Sequence, residues 1–205
     1  MEPYRAEPDH AVSDAALDTI FREARTLRKW RDKTVPPALL MAIYDLVRLG
    51  PTESNITPAR FHFVVSPAAK ARLKPLLDDG NVAQTMAAPA TAIVAYDLDF
   101  ARTLDVLAPH AAAKMQDRLA GDPARAELMA ARSAGLQGGY FIVAARALGL
   151  DCGPMSGFDR DGVDREFFAG TKIKSYFLCN LGYGDREGLR PRAGRLSFDD
   201  ACKIL

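Results

Sequence analysis

The sequence predicts a single globular domain in which helices and short strands are mixed. Its 205 residues are 48% hydrophobic, enough for one domain that buries about 70% of its unfolded surface. Three β-forming stretches, 60–65, 90–96 and 175–181, lie between segments with helical spacing, and the second is apolar enough for a strand covered on both faces. Residues 1–12 are polar and contain prolines, so we expect a flexible arm there and the domain over residues 13–205.

Charge, cysteine content and hydropathy exclude several classes of protein. The 27 basic and 26 acidic side chains give a net charge of +1. The chain therefore lacks the excess of positive charge that is typical of proteins that bind nucleic acid or an anionic membrane. The widely spaced cysteines form neither a disulfide framework nor a metal-ligand cluster. The first residues contain no apolar signal core, and no stretch reaches the ~18 apolar residues that span a bilayer. We therefore expect a cytoplasmic protein without a metal site.

Caps and prolines place the predicted helices. Ser13 opens a helix that runs to about Ala24, and a long helix covers about residues 124–148. Residues 97–121 give only a weak helical pattern. Three further helices are predicted to start at Pro36-Pro37, at Ser66-Pro67 and after Asp159. A short helical turn carries Gln84, and another helix lies next to the C-terminus.

A cationic segment follows the first predicted helix. Residues 25–30 read Arg-Thr-Leu-Arg-Lys-Trp, and cations there suit the negative end of the helix dipole while remaining solvated. The alternative is an anion site, because guanidinium groups and a hydroxyl suit phosphate oxygens. A second basic loop, from Arg190 to Arg195, precedes the C-terminal helix.

Two further segments combine glycine and proline with polar residues. Residues 50–60 read Gly-Pro-Thr-Glu-Ser-Asn-Ile-Thr-Pro-Ala-Arg, a polar loop that is either plain surface or a binding edge. Residues 149–159 read Gly-Leu-Asp-Cys-Gly-Pro-Met-Ser-Gly-Phe-Asp. Their backbone can place unpaired N–H groups against a flat ligand, or Gly149 only caps the helix before a connecting turn.

Glycines interrupt the long helix at Gly135, Gly138 and Gly139. Each costs roughly 1 kcal/mol of helix propensity relative to alanine, which indicates that another backbone packs very closely. The sequence alone does not say whether that backbone belongs to the same chain or to a second subunit.

Motifs of several other chemistries are missing from the sequence. His10, His62 and His110 have no Gly-x-Ser-x-Gly elbow or nearby Cys motif to serve, and no Gly-x-Gly-x-x-Gly follows a strand. The Asp-x-Asp-Gly at Asp159 lacks the other ligands of a calcium loop.

Taken together, the motifs resemble the FMN-dependent nitroreductase family, most closely its malonic semialdehyde reductase branch, which is linked to uracil breakdown. The resemblance covers about residues 13–205. It is carried by Gly-Pro-Thr-x-x-Asn-x-x-Pro-Ala-Arg-Phe at 50–61, Ala-Leu-Gly-Leu-Asp-x-Gly-Pro-Met-Ser-Gly-Phe-Asp at 147–159 and Gly-Tyr-Gly-Asp at 182–185. It implies an α+β fold, a mostly antiparallel sheet wrapped by helices, built as an intertwined homodimer with FMN at the subunit interface.

The resemblance also implies which residues contact the cofactor. Charge-assisted donors, each worth about 1.5–3 kcal/mol, would hold the FMN phosphate: Arg25, Thr26, Arg192 and Arg195. The polar edge of the isoalloxazine, or the ribityl chain, would meet Asn81, with Arg28 and Gln84 flanking the N1–C2 edge. The ring would lie along Pro154, Met155, Ser156 and Gly157. The partner subunit would contribute Pro51, Thr52, Glu53 and Asn55.

The implied activity is ping-pong hydride transfer through flavin N5. NADH or NADPH would reduce FMN, and a small acceptor (an aldehyde acid, a nitroaromatic or a quinone) would then be reduced on the same face. The protein positions the ring and excludes water, which agrees with the absence of a catalytic nucleophile motif. The alternatives are a flavin-binding protein without turnover, used in sensing or storage, and a structural dimer without cofactor.

Three departures from the branch pattern bear on substrate identity. Members of the branch have Arg-Thr-His-Asn where this chain has Arg-Thr-Leu-Arg, so Leu27 and Arg28 differ. They also have a lysine at the position of Gln84 and a small residue at the position of Glu53. Arg28 would supply the positive charge missing at Gln84. Glu53 would repel an anionic acceptor if it faces the pocket, and would have little effect if it points into water.

Overall fold

A four-stranded antiparallel sheet forms the centre of the computed structural model, which describes residues 11–205. Most of the predicted N-terminal arm, residues 1–10, lies outside the described residues. The strands are β1, Ala59–Val64; β2, Ala90–Asp97; β3, Asp151–Met155; and β4, Ile173–Gly182. Their spatial order is β1-β2-β4-β3, and each neighbouring pair is antiparallel. The predicted antiparallel sheet is confirmed.

Strand β3 corrects the prediction that residues 149–159 form only a turn. The first half of that segment pairs with β4, from Asp151 opposite Gly182 to Met155 opposite Leu178. Pro154 lies within the strand, which is possible because β3 is at the edge of the sheet and one side of its backbone pairs with no full strand. Gly149 ends the preceding helix with φ of +85°, as predicted for a cap.

The helices wrap this sheet, and their caps lie close to the predicted positions. Ser13 Oγ accepts a hydrogen bond from Ala16 N at 3.2 Å, and Asp159 Oδ1 accepts one from Gly162 N at 2.9 Å, so the Asp-x-Asp-Gly motif is a helix start. The helices are α1, Asp14–Leu17, continued by a π-helical turn, Asp18–Arg22; α2, Pro37–Val47; α3, Pro67–Leu73; α4, Asp79–Ala87; α5, Leu104–Leu107; α6, Ala112–Ala120; α7, Pro123–Ala147; α8, Arg160–Phe167; and α9, Phe198–Ala201. Short 3₁₀ turns cover Glu53–Asn55, Lys74–Leu76 and Phe100–Thr103.

Both faces of the sheet are covered. Strand β2 is buried along its whole length, as its apolar sequence predicts. On one face its Ala92 and Val94 pack with Phe141 of α7, and on the other Ile93 and Ala95 pack with residues of α3 and α8. No helix within residues 11–205 is long and apolar enough to cross a membrane.

The glycines of α7 have different surroundings. A Cβ on Gly138 would lie 2.7 Å from the ring of Phe177 on β4, so an aromatic ring of the same chain, rather than another backbone, requires the glycine. Gly135 faces Tyr176 at 3.6 Å, an ordinary contact distance. A Cβ on Gly139 would meet no atom within 4 Å in the described chain. Packing within the chain therefore explains Gly138 and leaves Gly139 open.

Candidate functional site

The two basic segments meet at the end of the first helix. The guanidinium of Arg192 donates hydrogen bonds to the carbonyl oxygens of Arg22 at 2.5 Å and Ala24 at 2.8 Å. Arg25 donates to the carbonyl of Arg190 at 2.5 Å. Arg192 thus uses free carbonyls at the end of a helical segment, and this contact brings the cations of residues 25 and 192 to one place. Arg195 instead donates to the carbonyls of Ala193 and Gly194, its own neighbours.

The cationic segment lies directly against the outer edge of β3. Thr26 bridges Cys152, and Leu27 N donates to the carbonyl of Cys152 at 3.0 Å. A Cβ on Gly153 would lie 2.6 Å from the carbonyl oxygen of Leu27, so only glycine permits this approach. The pairing covers part of an otherwise open sheet edge and places exposed Thr26 beside the strand.

The turn after β3 presents free backbone donors. Within residues 11–205, no acceptor pairs with the N–H of Ser156 or of Gly157. The carbonyl of Gly157 does accept hydrogen bonds, from Asn81 Nδ2 at 2.8 Å and from Asp78 N at 3.2 Å. A Cβ on Gly157 would lie 2.5 Å from Asn81 Nδ2, so the glycine is required for α4 to approach this turn.

Gln84 and Met155 are held in place by neighbouring polar groups. Gln84 Nε2 donates to Asn81 Oδ1 at 2.5 Å, and Trp30 Nε1 donates to the carbonyl of Gln84 at 3.0 Å. The hydroxyl of fully buried Thr85 lies 3.6 Å from Met155 Sδ. Arg28 is exposed and forms no hydrogen bond or ion pair within the part of the chain that the structure describes. The charge that the sequence assigns to Arg28 is therefore available, but Gln84 is already engaged with protein atoms.

The loop that contains Pro51, Thr52, Glu53 and Asn55 has a strained backbone. Ser54, Asn55 and Thr57 have φ values of 50°, 57° and 35°, in the left-handed region that non-glycine residues rarely adopt. Thr52 Oγ1 accepts a hydrogen bond from Thr57 N at 3.2 Å, and Asn55 Nδ2 donates to the carbonyl of Leu107 at 2.8 Å. These contacts hold the loop in one conformation, with Pro51 exposed.

Glu53 is partly buried and has an ion-pair partner. Its Oε2 lies 3.5 Å from Nη1 of Arg132 on α7, and its backbone N donates to Ser133 Oγ at 3.3 Å. Its side chain is 33% exposed, against 59% for Arg132. The sequence-based alternatives for Glu53, a lone charge in the pocket or a carboxylate in water, both omit this arginine.

Apart from Arg28 and Arg195, the predicted site residues therefore fall into two groups. We call the first the β3 cluster: Arg25, Thr26, Asn81, Gln84, Pro154, Met155, Ser156, Gly157 and Arg192. We call residues 51–55 the Glu53 loop. No hydrogen bond or ion pair between these two groups occurs in the described range 11–205. Within one chain, the structure brings together the first group but does not join it to the second.

Buried thiols near the β3 cluster are chemically quiet. Cys152 and Cys179 are both fully buried. A hydrogen bond with Cys152, reinforced by burial, raises the pKa of the Cys179 thiol well above its ordinary value. A thiol that stays protonated is neither a nucleophile nor a metal ligand, and the described residues contain no cluster of three or more potential metal-binding side chains.

Sequence reasoning missed three residues that complete these groups. Trp30 contacts α4, while Arg132 and Ser133 contact the Glu53 loop. Trp30 ends the cationic segment at residues 25–30, so the sequence provided a reason to consider it. Arg132 and Ser133 lie in the long helix α7, where no nearby sequence motif points to a functional site. Their partners are about 80 positions away, so no spacing pattern could have found them.

The β3 cluster combines two kinds of hydrogen-bonding group, guanidinium groups with a hydroxyl and free N–H groups with an amide. Guanidinium groups and a hydroxyl suit a phosphate, while the free N–H groups and an amide suit the edge of a polar ring system.

Comparison with known proteins gives the family. The Nitroreductase family matches residues 21–183. A protein of Caulobacter sp. (strain K31), named "Putative NADH dehydrogenase/NAD(P)H nitroreductase", is 56% identical over 194 residues, or 95% of this chain and 98% of that protein. The chain therefore belongs to the nitroreductase family.

Solved structures agree with this fold. A nitroreductase family protein from Streptococcus pneumoniae TIGR4 superposes with a TM-score of 0.80 at 22% identity, covering 91% of this chain and 98% of that one. The structure described as a "putative nitroreductase in complex with FMN" from Exiguobacterium sibiricum 255-15 gives 0.80 at 20% identity, covering 96% and 99%. The predicted nitroreductase-like fold is confirmed, while the malonic semialdehyde reductase branch stays a prediction.

Proposed function

We propose that this chain is an FMN-dependent NAD(P)H oxidoreductase that reduces a small acceptor. The observation that carries the proposal is the β3 cluster, where the unpaired N–H groups of Ser156 and Gly157 lie beside Asn81 and near a cationic segment. The name of the Caulobacter relative, an NAD(P)H nitroreductase 56% identical to this chain, supports the same activity.

The residues present fit FMN. Arg25 and Arg192 each use part of their five-donor guanidinium fork on carbonyls, which leaves other N–H groups for a phosphate. Gly153 and Gly157 lie where any Cβ would collide with Leu27 or Asn81, so glycine lets the cationic segment pack against β3 and lets α4 pack against the turn after it. The unpaired N–H groups of Ser156 and Gly157 remain available to the edge of a flat ring.

Bound FMN would supply hydride transfer through N5, between NAD(P)H and the acceptor. The chain's own contribution is positional and electrostatic. Arg25, Thr26 and Arg192 would bind the phosphate, with Arg195 assigned there by resemblance alone. Asn81 and the N–H groups of Ser156 and Gly157 would orient the ring. Arg28 would add positive charge near its polar edge.

We also propose that the complete site needs two copies of the chain. The Glu53 loop makes no polar contact with the β3 cluster in the described residues, so a second copy would have to supply it. Large apolar side chains are exposed on α2, just after it and on α7: Met41 at 69%, Leu49 at 77% and Leu136 at 49% exposure. Exposed apolar surface of this kind supports an interface with a second copy.

Within the family, we propose the malonic semialdehyde reductase branch. The support is the sequence of the Gly-Pro-Thr and Gly-Pro-Met-Ser-Gly motifs, which resemble that branch. An aldehyde acid is then the first acceptor to test, followed by nitroaromatics and quinones.

The purified protein should test the function directly. We expect a yellow protein whose absorbance is that of FMN, bleached anaerobically by NADH or NADPH and restored by an acceptor. Flavin that resists both nucleotides would indicate a binding protein without turnover. A colourless protein that fails to take up added FMN would overturn the proposal and favour a structural dimer.

A further inference from the structure

The ion pair between Glu53 and Arg132 has an uneven exposure. Arg132 is 59% exposed, whereas Glu53 is 33% exposed and its Oε2 is enclosed without a hydrogen-bond partner within the described chain. The arginine is therefore the outer member of the pair. A molecule that approaches the Glu53 loop meets the guanidinium before it meets the carboxylate.

The guanidinium also has unused donors. Its one polar contact in residues 11–205 is Nη1 to Glu53 Oε2, at 3.5 Å, a distance too long for a good hydrogen bond. Arginine presents its N–H groups as a planar fork that fits a carboxylate through two parallel hydrogen bonds. Arg132 is thus oriented by Glu53 but not saturated by it.

We propose that Arg132 selects acceptors that carry a carboxylate, and that Glu53 is a positioning residue that holds the guanidinium. This inference rests on the proposed function, because it requires the Glu53 loop to border the acceptor pocket of a partner copy. It reverses the expectation from the sequence, in which Glu53 alone would repel an anionic acceptor. Without Arg132 that repulsion should reappear, since an enclosed carboxylate would remain without a counter-ion.

The test uses two acceptors that differ by one charge, 4-nitrobenzoate and 4-nitrobenzamide. For each variant of the FMN-loaded enzyme, kcat/KM is measured for both, and the ratio of anion to amide is compared with that of the wild type. The ratio cancels effects on folding, flavin loading and nucleotide oxidation. Arg132→Gln should lower it about tenfold or more, the order expected for loss of one nearby charge partner. Arg132→Lys should restore it only in part.

Two further variants separate recognition from positioning. Glu53→Gln keeps the cation but removes the carboxylate that holds it, so it should lower the ratio by less than Arg132→Gln does. An unchanged ratio in Glu53→Gln would overturn the positioning role of Glu53. Arg165→Gln is the matched control, because Arg165 is an exposed arginine paired at 3.8 Å with Asp159, far along the chain from the Glu53 loop. It should leave the ratio unchanged. Benzoate affinity, measured by calorimetry on the same proteins, should follow the same order and does not depend on turnover.

The failures of the two proposals are distinguishable. If wild-type enzyme binds FMN and reduces 4-nitrobenzamide, the proposed function stands whatever happens to the anion. An Arg132→Gln ratio within twofold of the wild type, with benzoate affinity also unchanged, would then overturn the role of Arg132. If wild-type protein reduces neither acceptor and binds no benzoate, both proposals fail.

Discussion

Arg192 joins two basic segments that lie far apart in the sequence. Its guanidinium closes the end of the first helix by binding the carbonyls of Arg22 and Ala24. The same contact holds positive charge beside Arg25. The resemblance assigns Arg192 and Arg195 the same role, but only Arg192 has a contact that fixes it near the β3 cluster.

We therefore expect Arg192→Ala to weaken FMN binding by roughly tenfold or more, the order of one charge-assisted hydrogen bond. Turnover at saturating FMN should change far less, because the residue does not meet the reacting atoms. FMN titration of the apoprotein, followed by flavin fluorescence, measures the affinity. Arg195→Ala is the control and should cost less. An equal or larger loss of FMN affinity in Arg195→Ala would show that the C-terminal loop contacts FMN differently from the arrangement in which Arg192 is the main contact.

His62 makes stability depend on pH. Its ring lies 4.6 Å from that of Phe168, and although the residue as a whole is exposed, partial desolvation lowers the pKa of the imidazole. The unfolded chain, with a histidine pKa of about 6.5, then binds a proton more readily than the folded one. The stability due to neutral His62 is present above that value and is lost as the pH falls below it.

Urea unfolding at pH 7.5 and 5.5 should reveal this. Wild-type protein should lose more unfolding free energy over this range than His62→Gln, which has no imidazole to protonate. His110→Gln removes an exposed imidazole and serves as the control. If wild type and His62→Gln respond to pH identically, the contact with Phe168 has no energetic effect on protonation.

At the scale of elements, α7 and β4 pack so closely that a methyl group matters. A Cβ on Gly138 would lie 2.7 Å from Cε1 of Phe177 and 2.9 Å from its Cζ. Gly138→Ala should gain about 1 kcal/mol of helix propensity but lose about 1–3 kcal/mol to overpacking. We expect a net loss of stability and a lower Tm.

Gly80→Ala is the matched comparison for that substitution. Gly80 also lies in a helix, α4, but a Cβ there meets no atom within 4 Å. Differential scanning calorimetry should therefore show a Tm at or above the wild-type value for Gly80→Ala. A stabilised Gly138→Ala protein would contradict the packing of Phe177 described above.

At the scale of the whole molecule, large apolar side chains are exposed on the surface of the described chain. Leu136 on α7 is 49% exposed, and a Cβ on Gly139, one turn further along the helix, would meet no atom within 4 Å in the described chain. In the proposed two-copy site, a second copy would cover this face.

Leu136→Arg should accordingly shift the protein from dimer to monomer in sedimentation equilibrium and reduce its FMN content, since a charge buried at an interface without a partner is strongly disfavoured. Val65→Arg replaces a side chain of similar exposure, 47%, outside α2 and α7, and should remain dimeric. Wild-type protein that sediments as a flavin-loaded monomer at low micromolar concentration would refute the two-copy site.

Local signals in the sequence determined where several helices start, which strand is buried and which family the chain belongs to. Helix starts at Ser13, Ser66 and Asp159 were predictable because a cap acts within one turn. The burial of β2 was predictable because an apolar run needs cover on both faces. The family followed from motifs that keep glycine, proline and asparagine at short fixed spacings.

Only the tertiary structure decided how these pieces meet. It turned half of residues 149–159 into the edge strand β3, because β4 was there to pair with it. It joined Arg192 to Arg22 across 170 positions and gave Glu53 its partner Arg132. It also left the Glu53 loop without a polar contact to the β3 cluster in the described range 11–205. The physical reason is the same in each case: these contacts join residues that are far apart in the sequence, and periodicity and capping act only over a few residues.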